Sequence, residues 1–286
     1  QVPYSMDKNR VIDVMGIINI TENSYYAESR CLDSSGADDI SRILSRAGRM
    51  LEDGASILDI GACSTRPGSS PVGEEEEWRR LGPALTSIKK EFPAARISID
   101  TYWPSVVRRA YDAIGKFIVN DVTAGEGMYE KTAPGEPGPM LTEVAALSLP
   151  FVAMHMRGNP VTMQSLTEYQ DVTEDVLSYF RTFAVKAEAV GLKDWILDPG
   201  FGFAKTLEQN YQLMRELDRF TEFGKRVLVG VSRKSMIFRK FGITPEESLP
   251  ETQVLHYKSL CQGADILRVH DVAEAVRTVE LYRTLE

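Results

Sequence analysis

Short apolar runs alternate with longer stretches of mixed polarity from one end of this chain to the other. The runs are VIDVMGIINI (11–20), SILDIG (56–61), RISID (96–100), KFIVND (116–121), PFVAMH (150–155), WILD (195–198), RVLVG (226–230) and DILRV (265–269). Their length and content predict eight strands. The amphipathic stretches between them predict helices near 37–53, 74–91, 104–113, 140–148, 166–190, 206–219, 249–262 and 272–284. TLEQ at 206–209 and TPEE at 244–247 have the form of capping boxes, the second with Pro245 at the first helical position.

A strand followed by a helix, repeated eight times, predicts the α/β class and a single (β/α)8 barrel over residues 11–286, behind an N-terminal extension of residues 1–10. No linker or shift of composition divides the chain. A doubly wound open sheet shares the local pattern, but it commonly carries GxGxxG after its first strand. Here the first strand runs into INITENS, and no loop holds that motif or the P-loop GxxxxGKS/T.

Lys and Arg number 33 against 41 Asp and Glu, a net charge of −8, and there is no basic run suited to a phosphate backbone, so nucleic acid is not an expected partner. The acid run Glu74–Glu77 falls where a helix should begin, and the expectation is a solvated first turn facing the positive dipole end. No apolar stretch is long enough for a membrane span, and QVPYSMDKNR lacks the apolar core of a signal peptide, which points to the cytoplasm. Cys31, Cys63 and Cys261 are odd in number and show no CxxC, against both a disulfide framework and a zinc cluster.

The conspicuous polar residues sit at the C-terminal ends of the expected strands. Asn19 ends the first, Asp59 and STRPG the second, Asp100 the third, and Asn120 with Asp121 the fourth. His155 follows the fifth, Asp198 ends the sixth, Ser232, Arg233 and Lys234 follow the seventh, and Arg268 with His270 closes the eighth. In a barrel these rim one mouth, the face where barrel active sites form. Asp100, Asn120 and Asp198, with Phe203 nearby, suit a planar heterocycle rich in N–H donors. Arg66, Arg268, His270 and Asn19 suit a phosphate or another anion. Lys234 could serve either set. Within ILDPGFGFAK, Asp198 ends an apolar run and requires a hydrogen-bond donor, while Pro199, Gly200 and Gly202 turn the chain and Phe201 and Phe203 supply flat apolar surface.

The strings MGIINIT, DIGACSTRPG, ISIDTY, NDVTAG, AMHMRGNPVTM, LDPGFGFAKT, VGVSRKSMI and LRVHDV, in this order from about residue 11 to the end, resemble the dihydropteroate synthase family. The resemblance implies a homodimeric (β/α)8 barrel that joins p-aminobenzoate to 6-hydroxymethyl-7,8-dihydropterin diphosphate and releases pyrophosphate with Mg2+. It implies pterin contacts from Asp100, Asn120, Met156, Asp198, Phe203, Gly230 and Lys234. It places Asn19, Thr65, Arg66, Arg268 and His270 at the diphosphate, with Asn19 also at the metal. Pro67, Phe203, Lys234 and Ser235 would hold p-aminobenzoate, with a helix beginning near Ser235 offering N–H groups to its carboxylate. Inhibition by sulfonamides is expected on the same ground.

Two stretches depart from the family. Its first loop commonly reads TPDSF, where this chain has Thr21, Glu22, Asn23, Ser24 and Tyr25, so slower closure over p-aminobenzoate is expected. Cys63 replaces the usual Glu before STRPG and reads as small-residue packing. Two other readings share the barrel: a pterin-dependent methyltransferase domain, against which STRPG, SRK and RVHD together argue, and a non-catalytic pterin-binding homologue.

Overall fold

Successive side chains on a strand point to opposite faces, and closing eight strands into a barrel sends alternate residues inward. That period organises this chain. A computed structural model describes residues 10–20, 36–62, 72–128, 131–133, 135–159 and 162–286. Its strands are β1 (Asp13–Asn19), β2 (Ile57–Gly61), β3 (Ile97–Asp100), β4 (Ile118–Asp121), β5 (Phe151–Met154), β6 (Trp195–Asp198), β7 (Leu228–Val229) and β8 (Ile266–Val269). All pairings are parallel, in the order β6-β5-β4-β3-β2-β1-β8-β7, and a bridge between Leu197 and Val227 joins the outer two strands into a ring. The helices are α1 (Gly36–Glu52), α2 (Glu74–Glu91), α3 (Pro104–Ile114), α4 (Gly138–Ala146), α5 (Val172–Ala189), α6 (Leu207–Arg215), α7 (Ser235–Phe241), α8 (Leu249–Cys261) and α9 (Val272–Leu285). The expected (β/α)8 barrel is therefore the observed fold.

Inside the ring, Met15, Ile57, Ile118, Val152, Ile196, Leu228 and Ile266 pack into one buried apolar layer. Such burial stabilises by roughly 1.5–3 kcal/mol per side chain. Their strand neighbours Leu58, Val119, Ala153, Leu197, Val229 and Leu267 point outward into the larger core beneath the helices. Two residues beyond the inner layer, the same strands present Asp59, Asn120, Met154, Asp198, Gly230 and Arg268. The barrel is thus plugged with hydrocarbon below and lined with polar groups at its C-terminal mouth.

The helix edges differ from the sequence expectation where local hydrogen bonds decide them. The helix expected over 166–190 begins at Val172, because the Asp171 side chain accepts from Glu174 N at 3.1 Å and caps it there. TLEQ does form a capping box: Thr206 N donates to Gln209 Oε1 at 2.8 Å, and Gln209 N to Thr206 Oγ1 at 3.3 Å. That helix ends at Arg215 and passes into a 3-10 turn, Leu217–Phe223, which Gly224 stops in the left-handed conformation. TPEE makes the same reciprocal pair, Thr244 N to Glu247 Oε2 at 2.8 Å and Glu247 N to Thr244 Oγ1 at 3.2 Å, but opens the 3-10 turn Glu246–Ser248 ahead of α8. The short α7 begins at Ser235, as the resemblance implied.

The solvated reading of Glu74–Glu77 is corrected. Glu74 accepts from the Ser105 hydroxyl, Glu75 pairs with Arg109, and Glu76 with Arg79 and Arg80. Glu77 is fully buried on the inner side of α2. Burial pushes its carboxyl up to about 8, reinforced by Asp100 and Asp121; the Thr101 hydroxyl and Arg80 draw it down, though among the described residues no hydrogen bond of ordinary geometry reaches either oxygen. Four like charges on one turn cannot all face outward when 100° separates successive side chains. Folded Glu77 keeps a proton that the unfolded chain releases above about 4.5, so its contribution to stability falls as pH rises from 4.5 to 8. Relative to the unaltered protein, Glu77→Gln is expected to gain stability across that window, at about 1.4 kcal/mol per pH unit at most. Urea melts of both proteins from pH 5 to 9 check this; a constant difference would show that Glu77 does not carry the proton.

Candidate active site

Register brings strand-end residues far apart in sequence onto one surface. Pairing sets Asp100 beside Asn120 on β3 and β4, Met154 beside Asp198 on β5 and β6, and Asp59 beside Ser98 on β2 and β3. Arg268 reaches across from β8. Its Nε donates to Asp59 Oδ2 at 2.7 Å and its Nη2 to Asp100 Oδ2 at 3.2 Å. Asp59 also accepts from Ser98 Oγ at 2.6 Å and from Asn120 Nδ2 at 3.2 Å. The acceptor set and the cationic set that the sequence separates are therefore interleaved, with Arg268 as the joint.

Asp198 finds the donor it requires in the Gly200 N–H, 2.9 Å from Oδ1. Among the described residues no second donor reaches this carboxylate. Burial raises its pKa, while Lys234, the Gly200 N–H and Arg268 hold it down. Asp100 is pushed up to about 7 by burial against the pull of Arg268, with Asp59 and Asp121 adding repulsion. Both acids are thus poised to gain from N–H donors brought by a ligand, which would favour their ionised forms.

Lys234 Nζ donates to Phe201 O at 2.6 Å and lies 4.8 Å from the centre of the Phe203 ring. Burial lowers its pKa to about 8. At Gly230 a Cβ would lie 3.9 Å from both Lys234 Nζ and Arg268 Cβ, so its absence keeps open the space between them. Met156 is buried with Tyr102, Val122 and Met154, and Phe203 packs on the same cluster, forming an apolar wall beside the acids. Ser235 follows Lys234 at the start of α7. Asn19 ends β1 next to Gly61.

His270 lies beside Ser232, whose Oγ accepts the His270 backbone N–H at 3.1 Å and sits 3.0 Å from Nδ1. The hydroxyl keeps its proton and a second lone pair, so it can pair with Nδ1 in either tautomer of the ring. Burial, helped by Arg268 and Arg233, lowers the imidazole pKa to about 3. The ring is a neutral imidazole here, not a cation, and offers one N–H and one acceptor nitrogen.

Thr65, Arg66 and Pro67, like the 21–25 loop and Cys63, lie outside the described residues. Asp121 turns out to serve its own loop, accepting from Thr123 N, Thr123 Oγ1 and Gly125 N. Lys205 was not singled out by the sequence. It is buried, its Nζ donates to Gly200 O at 2.8 Å and Phe203 O at 3.0 Å, and it lies 3.0 Å from His155 Nδ1. It ties the turn after β6 to the end of β5. Burial lowers its pKa to about 7. A lysine closing the run GFGFAK was the available signal, since a turn with several inward carbonyls needs a donor.

Among the described residues, no three His, Cys, Asp or Glu side chains converge as a metal site. The amide oxygen of Asn19 is a hard donor, and Mg2+ commonly takes only one or two protein oxygens while phosphates and waters complete its shell. This donor set fits a magnesium ion that arrives largely held by a diphosphate.

A barrel with these groups at its C-terminal mouth defines a small-molecule enzyme, and the family profile described as pterin binding enzyme matches residues 15–270. The chain is 38% identical to the dihydropteroate synthase of Escherichia coli over 275 residues, 96% of this chain and 90% of that protein. Its fold superposes on the Yersinia pestis dihydropteroate synthase solved with a sulfonamide drug, with a TM-score of 0.85 and 33% identity over 98% of this chain and 95% of the other. The Xanthomonas albilineans dihydropteroate synthase with 4-aminobenzoic acid gives 0.83 and 34% over 97% and 94%. The chain belongs to the dihydropteroate synthase family.

Proposed function

We propose that this enzyme transfers a pterinylmethyl group from 6-hydroxymethyl-7,8-dihydropterin diphosphate to p-aminobenzoate, giving 7,8-dihydropteroate and pyrophosphate for folate synthesis. The observation that carries the residue roles is the meeting of Asp100, Asn120, Asp198 and Arg268 in one mouth beside Met156 and Phe203. Asp198, Asp100 and Asn120 would accept from the N–H edge of the pterin. Lys234 would donate to a ring acceptor, Met156 and Phe203 would cover the ring face, and the missing side chain of Gly230 would leave room for it.

The methylene C–O bond then breaks, its electron pair leaving with the diphosphate and its positive charge spreading into the ring. Arg268, with its fixed cationic fork, and His270, through a ring N–H, would stabilise the departing oxygens as charge grows there; Asn19, Thr65 and Arg66 would join them. Bound by Asn19 and the diphosphate, Mg2+ would supply Lewis-acid stabilisation of the same charge. The amine of p-aminobenzoate, held by Pro67, Phe203, Lys234 and Ser235, attacks the methylene carbon and loses a proton. No side chain serves as nucleophile in this scheme. We further propose a cytoplasmic homodimer in which residues 11–286 form the functional domain. In keeping with this, no helix among the described residues is long and apolar enough to cross a membrane, and Val254, Leu281 and Leu285 stand exposed on α8 and α9.

Pyrophosphate release from the pterin diphosphate, followed with and without p-aminobenzoate and Mg2+, tests the reading. Release that requires Mg2+ and is matched by dihydropteroate formation is expected; pterin binding without release would instead favour a non-catalytic homologue. In the same assay, Asp198→Asn is expected to weaken pterin binding roughly 10- to 150-fold, the worth of a charge-assisted hydrogen bond of about 1.5–3 kcal/mol. The new amide can still accept the Gly200 N–H, so melting temperature should change little. Unchanged pterin affinity would remove Asp198 from the site.

A further inference from the structure

Asp59 gathers three side-chain donors among the described residues of the mouth, yet it takes no direct part in the scheme above. It is 1% exposed, and three side chains from three other strands donate to it: Ser98 Oγ, Asn120 Nδ2 and Arg268 Nε. An ionised carboxylate can only accept hydrogen bonds. The amide of Asn120 must therefore turn its NH2 toward Asp59, 3.2 and 3.4 Å from the two carboxylate oxygens. The reverse orientation would set buried acceptors against each other at that distance, a costly arrangement. The carbonyl oxygen of Asn120 consequently faces away from Asp59. The same carboxylate holds Arg268 by Nε, which leaves the terminal nitrogens at the other end of the fork, where Nη2 meets Asp100.

We propose that Asp59 is a positioning residue for pterin recognition: by engaging the Asn120 amino group it fixes Asn120 as an acceptor toward the ligand, and so selects a heterocycle that presents an N–H at that edge. The inference rests on the pterin-binding reading above. Without Asp59, an asparagine amide is free to flip and offer either a donor or an acceptor, and ring systems of opposite polarity would compete. With it, Asn120 and Asp198 both present acceptors, and a ring offering acceptors at both places meets like partial charges.

Exchange of the two residues tests this. Asp59→Asn leaves one acceptor for three donors; Arg268 and Ser98 compete for its oxygen, its NH2 faces Asn120, and Asn120 is driven to turn its own NH2 to the ligand. In the double variant Asp59→Asn with Asn120→Asp, the new carboxylate accepts from the residue at 59 and keeps an acceptor toward the ligand. Binding of 6-hydroxymethylpterin, followed by its fluorescence, is expected to weaken at least tenfold in the single variant and to recover most of that loss in the double one. Binding weakened less than tenfold in Asp59→Asn, or a folded double variant no better than the single, would overturn the proposal. Failure of the unaltered protein to bind the pterin would instead overturn the reading on which it rests. Should the variants not fold, neutron diffraction from deuterated crystals of the unaltered protein with the pterin decides the matter. Deuterium on the Asn120 atom facing Asp59 supports the assignment, and an oxygen there defeats it.

Discussion

Arg268→Lys is expected to lower kcat for pyrophosphate release by about 10²- to 10³-fold, a loss of about 2.7–4 kcal/mol of transition-state stabilisation, while pterin affinity falls far less. The reason lies in geometry rather than charge. Arg268 meets Asp59 through Nε and Asp100 through Nη2, and it approaches the mouth from β8 with a rigid planar fork. Lysine carries the same charge on one nitrogen and cannot hold two carboxylates while donating to a leaving group. It would settle against the acids, leaving the growing charge on the diphosphate without its donor. A ground-state contact would show in KM; a contact that strengthens as the C–O bond breaks shows in kcat. Removing the charge as well, in Arg268→Met, should push Asp100 above its present value of about 7, since Arg268 is the group that holds it down. The acid limb of kcat/KM should then move to higher pH. An unchanged kcat in Arg268→Lys would remove this residue from the chemical step.

Gly200→Ala is expected to cost at least about 3 kcal/mol of stability, or roughly 6–12 °C in melting temperature, and to abolish detectable pterin binding at ordinary concentrations. Gly200 has φ +72°, and a Cβ there would lie 2.0 Å from the carbonyl oxygen of His155. That neighbour is backbone at the end of β5, so no rotation of a side chain relieves the overlap. The turn must move instead. It carries the N–H that binds Asp198 and the carbonyl that accepts from Lys205, so moving it disturbs the acid, the lysine and the Phe203 ring together. Calorimetry and pterin titration on the same sample check both effects. A variant with native stability would mean the turn tolerates a side chain that this geometry forbids.

The barrel was legible because its two periodicities are local. Eight apolar runs, each trimmed by at most a few residues, became eight strands, and on four of them a polar residue stands two positions beyond the buried inner one: Ile57 to Asp59, Ile118 to Asn120, Ile196 to Asp198 and Ile266 to Arg268. The run Glu74–Glu77 misled for a related reason. A helix start attracts acids wherever it lies, but which of them turns inward depends on what the helix packs against, and here Glu77 faces Thr101 and Asp100.

Local alternation therefore settles that this chain makes strands, that they close on hydrocarbon, and that acids, amides and cations gather at one end, because side-chain direction along a strand depends only on the chain itself. The partners of those groups were decided in three dimensions. Asp59 and Arg268 stand 209 residues apart and bond at 2.7 Å only because β1 sits between β2 and β8 in the closed sheet. The partners of the Asn120 amide, the neutral state of His270 and the depth of Lys205 follow from such neighbours, since a hydrogen bond is a property of two groups and the distance between them.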